Sequence, residues 1–546
     1  MSKDAEVDMK DVELNDVDQE RQPMTAGNGD ANSALAVKNG IVKVKIPDEK
    51  ESKFTGLSKE ELLQVAGTPA YDYYKLFFPH CPLYFSFMFW FSFVMVQIIV
   101  TFFFLFLCRW VRARWVLLIL FWLGWLGMLA GAVVIIVQAP RCKPLPEINW
   151  WDSGPLYQIG DVDAFAGSSG LKGLETKVGA LGQLKVKGLI VGPIHVSTAD
   201  QSEDLNLIEL TPSAGSLSDL EALIKAAHKK SIAVVLDLTP NYKGSEPWFL
   251  KSSVTNVTEK VKIATDYWLK KGIDGILLYG VERVSSVVPS FWPSIRETVD
   301  NHTKDEEKKV LIGATQATSP DEVNKLLNQT GVDLLLSDVL RNKSGAEIGQ
   351  VVQSLYSQNG RRLAWNLGHR VGGHLANMVE SVTIKLYQLL LLTLPGTPIF
   401  NYGDEIGLKD KSTTNPVMIW DSSNTNETEK SEVEQRNSLH MFFKAVSDLR
   451  GKERSLLHGD YVPLYKSTST LAYLRTWDQS ERYLVAFNFS PKDRASLQLS
   501  HEMLPEEAKV EVSTNKEEMA PGQFVNLAQL ELAPQQAVML KFPYIA

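Results

Sequence analysis

Two long apolar runs close to the N-terminus constrain this chain more than any other feature of its sequence. The first extends from Leu83 to Leu107 and is rich in Phe, and the second extends from Trp115 to Val137. Each is long enough to cross the hydrocarbon core of a bilayer, which takes about 20 helical residues. Arg109, Arg112 and Arg114 lie between the runs, and arginines beside a membrane span mark its cytosolic side. The second run therefore predicts an anchor that starts in the cytosol and leaves the C-terminal region outside.

The first run leaves the topology open. If it also spanned, either the acidic N-terminal segment would cross the membrane without a signal sequence, or the whole C-terminal region would stay in the cytosol. We therefore expect one span, residues 110–138, with the Phe-rich run either re-entrant or lying against the helices of a partner. Residues 1–69 are expected to be a disordered cytosolic tail, because residues 1–61 carry 14 acidic and 9 basic side chains and Phe54 is their only aromatic residue.

Composition excludes several classes of function. The 546 residues carry a net charge of −8 and no segment is strongly basic, so nucleic-acid binding is not expected. The sequence has no Cys and His spacing of the zinc-binding type and no glycine loop of the Walker type. We therefore expect neither a metal nor a cofactor.

Cysteine is scarce, and its placement is informative. The chain has three cysteines, Cys81, Cys108 and Cys142, and only the last lies beyond the second apolar run. A lone cysteine in an oxidising compartment indicates either a disulfide to another chain or a free thiol. Because Cys142 lies five residues after Val137, a covalent partner would have to be at the membrane surface.

Several N-glycosylation sequons support an extracellular C-terminal region. The asparagines that fit the pattern are Asn256, Asn301, Asn328, Asn342 and Asn426. Asn488 also fits, but Pro491 directly follows its sequon and weakens it.

Between residues 150 and 454, short apolar runs alternate with helical patterns. Eight of these runs are typical of β-strands: Tyr157–Gly160, Gly188–Val191, Ala233–Leu238, Gly275–Leu278, Val310–Gly313, Val332–Leu336, Arg362–Asn366 and Ile399–Tyr402. Eight strands, each followed by a helix, predict a TIM (β/α)8 barrel. Residues 455–546 contain strand-like runs such as Leu471–Arg475 and no long helix, which predicts an antiparallel β-sandwich domain. The expected fold class is α/β, with residues 139–149 linking the anchor to the barrel.

Several segments resemble known families. Residues 393–407 closely resemble the eighth-strand segment of α-amylase barrels. The segments Lys53–Leu62, Leu120–Gly131, Leu236–Tyr242 and Lys452–Asp460 resemble the glycoprotein heavy subunits of heteromeric amino-acid transporters, the 4F2 heavy-chain family. Residues 70–109 have no counterpart in that pattern and look like an insertion, which an alternative transcript would explain.

The resemblance implies a barrel without the chemistry of a glycosidase, which requires two carboxyl groups flanking the scissile bond. The nucleophile position of the α-amylase family falls on Tyr279, and its acid position falls on Thr315. The aspartate of the family's seventh-strand Asn-His-Asp motif falls on Gly368. The retained Asp404 and Glu405 are expected to support the barrel. We therefore expect no enzymatic activity.

The resemblance also implies a partner. Heavy chains of this kind bind a multi-spanning transporter light chain, carry it to the plasma membrane and are linked to it by a disulfide, for which Cys142 is the matching cysteine. The expected protein is a single-pass type II membrane glycoprotein. Gly124, Gly127 and Gly131 would allow close helix packing in its anchor. Adhesion receptors such as integrins are further partners by family resemblance.

Three alternatives stay open on the sequence. A cell-surface adhesion or signalling scaffold is compatible with the same architecture. A carbohydrate-binding receptor would need aromatic side chains in the cleft, for which Trp365 and Tyr279 are the candidates. An active exofacial glycosidase would need carboxylates at the ends of the fourth and fifth strands, where the sequence has none.

Overall fold

The computed structural model of the protein describes residues 94–98, 101, 111–138, 143–167, 169–304, 307–368, 370, 373–410, 415–420 and 427–545. It divides into two compact units, residues 1–139 and residues 140–546. The expected cytosolic tail, most of the Phe-rich run, all three cysteines and Asn426 lie outside the described residues.

The first unit contains a long apolar helix, α1 (Val111–Gln138). Its 28 residues include no proline and, after Arg114, no charged side chain, so nothing in the sequence interrupts the helix. Apolar side chains at consecutive positions are exposed, Trp115 and Ile136 among them. Within the described residues, Arg114–Val137 is the one helical stretch long and apolar enough to cross a membrane. The second apolar run is thus one continuous helix, as the sequence predicts.

The second unit is built around β-strands. Those that the structure describes are β1 (Leu156–Ile159), β2 (Gly188–Val191), β3 (His195–Thr198), β4 (Gln201–Leu210), β5 (Ala233–Asp237), β6 (Gly275–Tyr279), β7 (Val310–Ala314), β8 (Leu334–Leu336), β9 (Leu363–Trp365), β10 (Thr397–Asn401), β11 (Asp460–Lys466), β12 (Thr470–Thr476), β13 (Arg482–Asn488), β14 (Ala495–Leu497), β15 (Glu507–Ser513), β16 (Phe524–Asn526), β17 (Leu530–Leu532) and β18 (Ala537–Phe542).

Helices cover the outside of these strands. They are α2 (Val162–Ala166), α3 (Gly170–Gln183), α4 (Leu217–His228), α5 (Val254–Lys270), α6 (Val281–Val287), α7 (Phe291–Asn301), α8 (Pro320–Thr330), α9 (Gly345–Asn359), α10 (Leu375–Met378), α11 (Ile384–Thr393), α12 (Glu427–Lys452) and α13 (Arg454–Leu457). Local sequence sets their starts: Ser216 and Ser344 each form a capping box with the acidic residue three positions later, at the starts of α4 and α9.

Eight strands close into a parallel barrel in the order β1-β10-β9-β8-β7-β6-β5-β2. Each coincides with a run predicted from the sequence, so the TIM-barrel prediction is confirmed. Leu156, Ile190 and Val235 point inward and pack in one cluster inside the barrel, while their neighbours Leu189 and Val234 pack outward in the larger core. Because both sides of each strand are covered, the strands are mostly apolar in sequence.

One element between β2 and α4 was not predicted. Strands β3 and β4 form an antiparallel hairpin that lies outside the barrel. Helix α5 holds it: Trp268 Nε1 donates a hydrogen bond to the carbonyl oxygen of Leu207 at 2.8 Å, and Lys260 Nζ donates to the carbonyl oxygens of Ser202 and Leu205, both at 3.1 Å. The polar residues of β4 and its few buried positions explain why no apolar run marks it.

The C-terminal strands form the predicted antiparallel domain. Six of them pair in the order β11-β12-β13-β18-β15-β16, and β14 pairs with β17 in a second small sheet. Alternate residues of β12 face different cores: Leu471 and Tyr473 pack into the core that the barrel helices share, whereas Ala472 and Leu474 pack in a separate cluster that includes both strands of the small sheet. Barrel and sheet therefore share a continuous apolar core, and the sheet lies directly against the barrel.

Candidate functional site

The cleft at the C-terminal ends of the barrel strands is where enzymes of this fold place their reacting groups. Asp237 ends β5, and Tyr279 ends β6. Tyr279 lies opposite Ala314 of β7 in the strand register, so Thr315 follows at the next strand end. The barrel thus brings together the positions that the sequence assigned to the lost nucleophile and the lost acid.

Tyr279 is held on all sides and is 8% exposed. Its hydroxyl oxygen accepts a hydrogen bond from Gln158 Nε2 at 3.2 Å and one from the main-chain N–H of Arg370 at 3.4 Å. Its own N–H donates to Thr239 Oγ1 at 3.2 Å, and its carbonyl oxygen accepts from Trp248 Nε1 at 2.7 Å. Burial raises the pKa of Tyr279 to about 12, so the phenol stays neutral at physiological pH and supplies no anionic nucleophile.

Arg370 fills the space beside this tyrosine. Its Nε lies 3.0 Å from Oδ2 of Asp237, and the two side chains are 11% and 0% exposed. Its guanidinium carbon lies 5.1 Å from the centroid of the Tyr279 ring, within the range of a cation–π contact. The arginine stem crosses Gly160, where a Cβ would lie 2.8 Å from Arg370 Cγ. The cleft is therefore closed by a side chain of the protein itself.

Asp237 is the carboxylate that the barrel keeps at the end of β5, its third barrel strand in chain order. Thr239 donates its N–H to Asp237 Oδ1 at 2.9 Å, and the threonine hydroxyl donates to the same oxygen. Burial raises the pKa of Asp237, while the charge of Arg370 acts in the opposite direction. The pair with Arg370 compensates the buried charge without freeing a carboxylate for chemistry.

Thr315 and Gly368 occupy the other two positions of the lost chemistry. The hydroxyl of Thr315 is buried and accepts the N–H of Ala317 at 3.2 Å. The N–H of Gly368 donates to Asn366 Oδ1 at 2.9 Å. A Cβ at Gly368 would lie 2.1 Å from the carbonyl oxygen of Gly373, so the backbone occupies the space that a carboxylate side chain would need.

Asp404 and Glu405 follow β10 and lie inside the protein, at 0% and 2% exposure. Asp404 accepts main-chain N–H groups of Leu375 and Asn401, both at 2.8 Å. Glu405 accepts the hydroxyl of Tyr157 at 3.0 Å. Burial raises the pKa of Asp404 to about 6 and that of Glu405 to about 7. These contacts tie β1, β10 and α10 together, which fits the supporting role expected from the sequence.

Sequence reasoning missed Arg370, the residue that closes the cleft. No motif marks it, because its partners Gly160, Asp237 and Tyr279 come from three other barrel strands or the loops after them. In the part of the chain that the structure describes, no group of three or more His, Cys, Asp or Glu side chains is arranged to hold a metal ion.

Four of the five described sequon asparagines lie at the surface. Asn256, Asn301, Asn328 and Asn342 are exposed. Asn488 is fully buried and donates its amide to the carbonyl oxygens of Asp493 at 2.8 Å and Ala533 at 2.9 Å. The first four can carry a glycan on the folded chain, and Asn488 cannot.

The three anchor glycines lie on α1. No described residue lies within 4 Å of a Cβ added at Gly124, Gly127 or Gly131. The described part of the chain therefore leaves the surface of these glycines open to the close approach of another helix. Cys142, the expected disulfide cysteine, falls in the gap between the described residues 138 and 143.

Family models match two parts of the chain. Residues 108–157 match the model described as Solute carrier family 3 member 2 N-terminus. Residues 160–271 match the model described as Alpha amylase, catalytic domain. Together they cover the anchor helix and the first half of the barrel.

Curated relatives match along the whole chain. It is 40% identical to the amino acid transporter heavy chain SLC3A2 of Mus musculus, over 100% of both chains. The identity to the SLC3A2 heavy chain of Rattus norvegicus is also 40%, again over 100% of both. The amino acid transporter heavy chain SLC3A1 of Mus musculus is 23% identical, over 78% of this chain and 82% of that protein.

Solved structures of amylase-fold enzymes resemble a large part of the chain. The alpha-amylase from Geobacillus thermoleovorans complexed with acarbose has a TM-score of 0.57 at 20% identity and covers 72% of this chain and 99% of that chain. The trehalulose synthase MutB from Pseudomonas mesoacidophila has a TM-score of 0.59 at 16% identity, over 72% and 100%. At these identities the likeness concerns the fold.

Proposed function

The chain belongs to the amino acid transporter heavy-chain family, and on that premise we propose that it is a non-catalytic heavy chain for a multi-spanning amino-acid transporter light chain. It would bind the light chain, stabilise it and bring it to the plasma membrane. The 40% identity to SLC3A2 heavy chains over the full length carries this proposal. Amino-acid permeation would belong to the partner, since one spanning helix cannot build a transport path.

The geometry of the cleft supports the non-catalytic part of the proposal. Retaining and inverting glycosidases both use two carboxyl groups placed on either side of the scissile bond. Here the corresponding strand ends carry Tyr279 and Thr315, and Arg370 lies against Asp237 at 3.0 Å. The guanidinium of Arg370 also lies over the ring of Tyr279, 5.1 Å from its centroid, which disfavours a carbohydrate receptor that stacks a sugar on this tyrosine.

A disulfide through Cys142 is the proposed covalent link. It is the only cysteine after the anchor helix, and no cysteine is available in the remaining 404 residues to pair with it inside the chain. The apolar surface of α1, with Gly124, Gly127 and Gly131 open, supplies a non-covalent contact for the partner's helices. An adhesion or signalling role through integrins is compatible with this assembly and would use the exposed faces of the barrel.

The proposed topology places the tail in the cytosol and the barrel outside. Arg112 and Arg114 lie at the start of α1, which favours a cytosolic start of the span. The family match to the N-terminal model begins at residue 108, directly after the Phe-rich run, which supports reading residues 70–109 as an insertion. A tag at Met1 should therefore bind antibody only in permeabilised cells, and labelling of intact cells would contradict the single-pass arrangement.

The disulfide is tested by co-expressing the full chain with a panel of multi-spanning amino-acid transporter light chains and comparing non-reducing and reducing gels. The wild-type chain should give a high-mass band that reduction removes. Cys142→Ser should abolish this band, and Cys108→Ser, the matched change at the other side of the anchor, should leave it intact. A covalent complex that persists in the Cys142→Ser variant would contradict the assignment.

A further inference from the structure

A cluster of titratable side chains lies at the N-terminal end of the barrel, opposite the closed cleft, with Asp274 at its centre. Asp274 directly precedes β6. Its main-chain N–H donates to the carbonyl oxygen of Val234 in β5 at 2.7 Å, and its carbonyl oxygen accepts the N–H of Val310 in β7 at 2.9 Å. Its Oδ2 accepts the N–H of Val234 at 2.8 Å. One residue therefore connects the starts of three neighbouring barrel strands.

Two basic side chains share the carboxylate of Asp274. His228, in the last turn of α4, places Nε2 at 2.6 Å from Oδ2, and Lys309, which directly precedes β7, places Nζ at 3.1 Å from Oδ1. An ionised carboxylate only accepts hydrogen bonds, so Nε2 of His228 is the donor. The side chains of Asp274 and Lys309 are 14% and 9% exposed, whereas that of His228 is 44% exposed. Protons from the solvent therefore reach the histidine, while the other two groups lie inside.

The surroundings of His228 favour its protonated form. The charged groups near it are Asp274, Glu307 and Lys309 from the loops before β6 and β7, and Lys225 and Lys229 beside it in sequence. The hydrogen bond to Asp274 raises the pKa of His228 and exceeds the opposing effects of burial and of the Lys309 charge. The C-terminal end of a helix also favours a cation. Burial alone would raise the pKa of Asp274, but its bond to His228 and the charge of Lys309 lower it, so this carboxylate stays ionised.

The chain enters the barrel next to this cluster. Trp150 directly follows the linker, residues 139–149, and packs against the apolar cluster inside the barrel. Its Nε1 donates a hydrogen bond to the carbonyl oxygen of Lys308 at 2.9 Å. Lys308 immediately precedes Lys309, whose side chain is bound to Asp274. The contacts of Asp274 therefore hold the segment on which the entering chain is fixed.

We infer that His228 is a pH-sensitive clamp, whose protonation tightens the joint at which the linker enters the barrel. The neutral imidazole already donates to Asp274, and protonation makes that bond one between two charges, which is roughly twice as strong. A histidine whose folded-state pKa is raised contributes stability that is complete below its unfolded pKa of 6.5 and is lost as the pH rises through the folded pKa. The clamp is therefore closed in a compartment of pH 5–6 and weakens above neutral pH.

The test is amide hydrogen exchange of the full chain in detergent micelles at pH 5.5 and pH 8, measured by mass spectrometry and corrected for the intrinsic exchange rate at each pH. The amide of Val234 is the reporter, because it donates directly to Asp274. We expect peptides that contain Val234 to exchange about fivefold more slowly at pH 5.5, the effect of replacing a neutral by a charge-assisted hydrogen bond. A corrected exchange rate that does not depend on pH would overturn the inference.

Two matched histidine variants locate the effect. His228→Gln keeps a hydrogen-bond donor beside Asp274 but cannot change its charge, so the difference between the two corrected rates should disappear. His440→Gln removes a half-buried histidine of α12, whose pKa is lowered by burial and by the charge of Lys444, and should leave the wild-type difference. Equal pH dependence of the Val234 peptides in the two variants would overturn the assignment to His228.

A measurement on the wild-type chain covers the case in which His228→Gln does not fold. Exchange of the imidazole C2 hydrogen, followed by mass spectrometry as a function of pH, gives the protonation midpoint of each histidine. The midpoint of His228 should lie above 6.5 and that of His440 below it, because the hydrogen bond to Asp274 raises the first pKa and burial lowers the second. A midpoint of His228 at or below 6.5 would refute the clamp.

Discussion

The ion pair that closes the barrel cleft gives the sharpest quantitative prediction. Arg370→Met keeps the length and apolar stem of the side chain, and with them the contact over Gly160, but removes the charge next to Asp237. The carboxylate side chain is 0% exposed and lies 3.0 Å from its cation. Removing one partner of a buried ion pair costs about 3–5 kcal/mol. Because Thr239 still donates two hydrogen bonds to Asp237, we expect the lower end, about 3 kcal/mol.

The assay is urea unfolding of the full chain in detergent, followed by tryptophan fluorescence, at two pH values. Without Arg370, the pKa of the buried Asp237 rises further above its unfolded value. A group with a raised folded-state pKa contributes stability at low pH and loses it as the pH rises, so the variant should lose more stability at pH 8 than at pH 5.

Two further variants define what would refute this reasoning. Asp237→Asn combined with Arg370→Met removes both charges and should recover most of the loss, as replacement of whole buried pairs does. Arg494→Met removes an exposed arginine and should change the unfolding free energy by less than about 1 kcal/mol. If Arg370→Met were no more destabilising than Arg494→Met, the buried pair would not be what holds the cleft closed.

Three other predictions have defined outcomes. Burial raises the pKa of Glu405 from 4.5 to about 7, so the stability that this carboxyl contributes is present below its unfolded pKa and is lost as the pH rises through about 7. Glu405→Gln should therefore raise the free energy of unfolding at pH 8 by up to about 3 kcal/mol in the same urea assay. A lower free energy of unfolding at that pH would contradict the prediction. Gly368→Ala should lower the thermal unfolding midpoint because its Cβ would lie 2.1 Å from the carbonyl oxygen of Gly373. An unchanged midpoint would contradict this prediction and would mean that the main chain at Gly373 moves away without loss of stability. Asn328→Gln should remove glycosidase-sensitive mass, whereas Asn488→Gln should not. Gel mobility before and after glycosidase treatment measures this mass. If only Asn488→Gln removed it, the argument that burial prevents glycosylation of Asn488 would be wrong.

The parts of the fold that the sequence predicted share one physical property. A strand covered on both faces is apolar at nearly every position, so runs such as Gly188–Val191 and Val310–Ala314 stand out from their surroundings. The membrane helix stands out because it is apolar over a longer stretch, from Trp115 to Val137. The β3–β4 hairpin does not stand out in the sequence, because most of β4 is exposed and polar. Its position is explained by its contact with α5.

The candidate site could be predicted only in part. The missing carboxylates were visible because Tyr279, Thr315 and Gly368 fall within recognisable strand ends. What fills their place was not visible, since Arg370 meets Asp237 only after the barrel closes. Charge pairs between distant segments leave no periodic signal in a sequence.

The central claim is that this chain acts by carrying a transporter light chain to the cell surface. It is tested most directly by surface biotinylation of light chains in cells that lack other heavy chains, with and without the full-length chain. The account predicts that a light chain reaches the surface, and labelled amino-acid uptake rises, only when this chain is co-expressed, and that Arg370→Met at a temperature where it is folded preserves both. The account would be contradicted if every light chain in the panel gave the same surface biotinylation with and without this heavy chain.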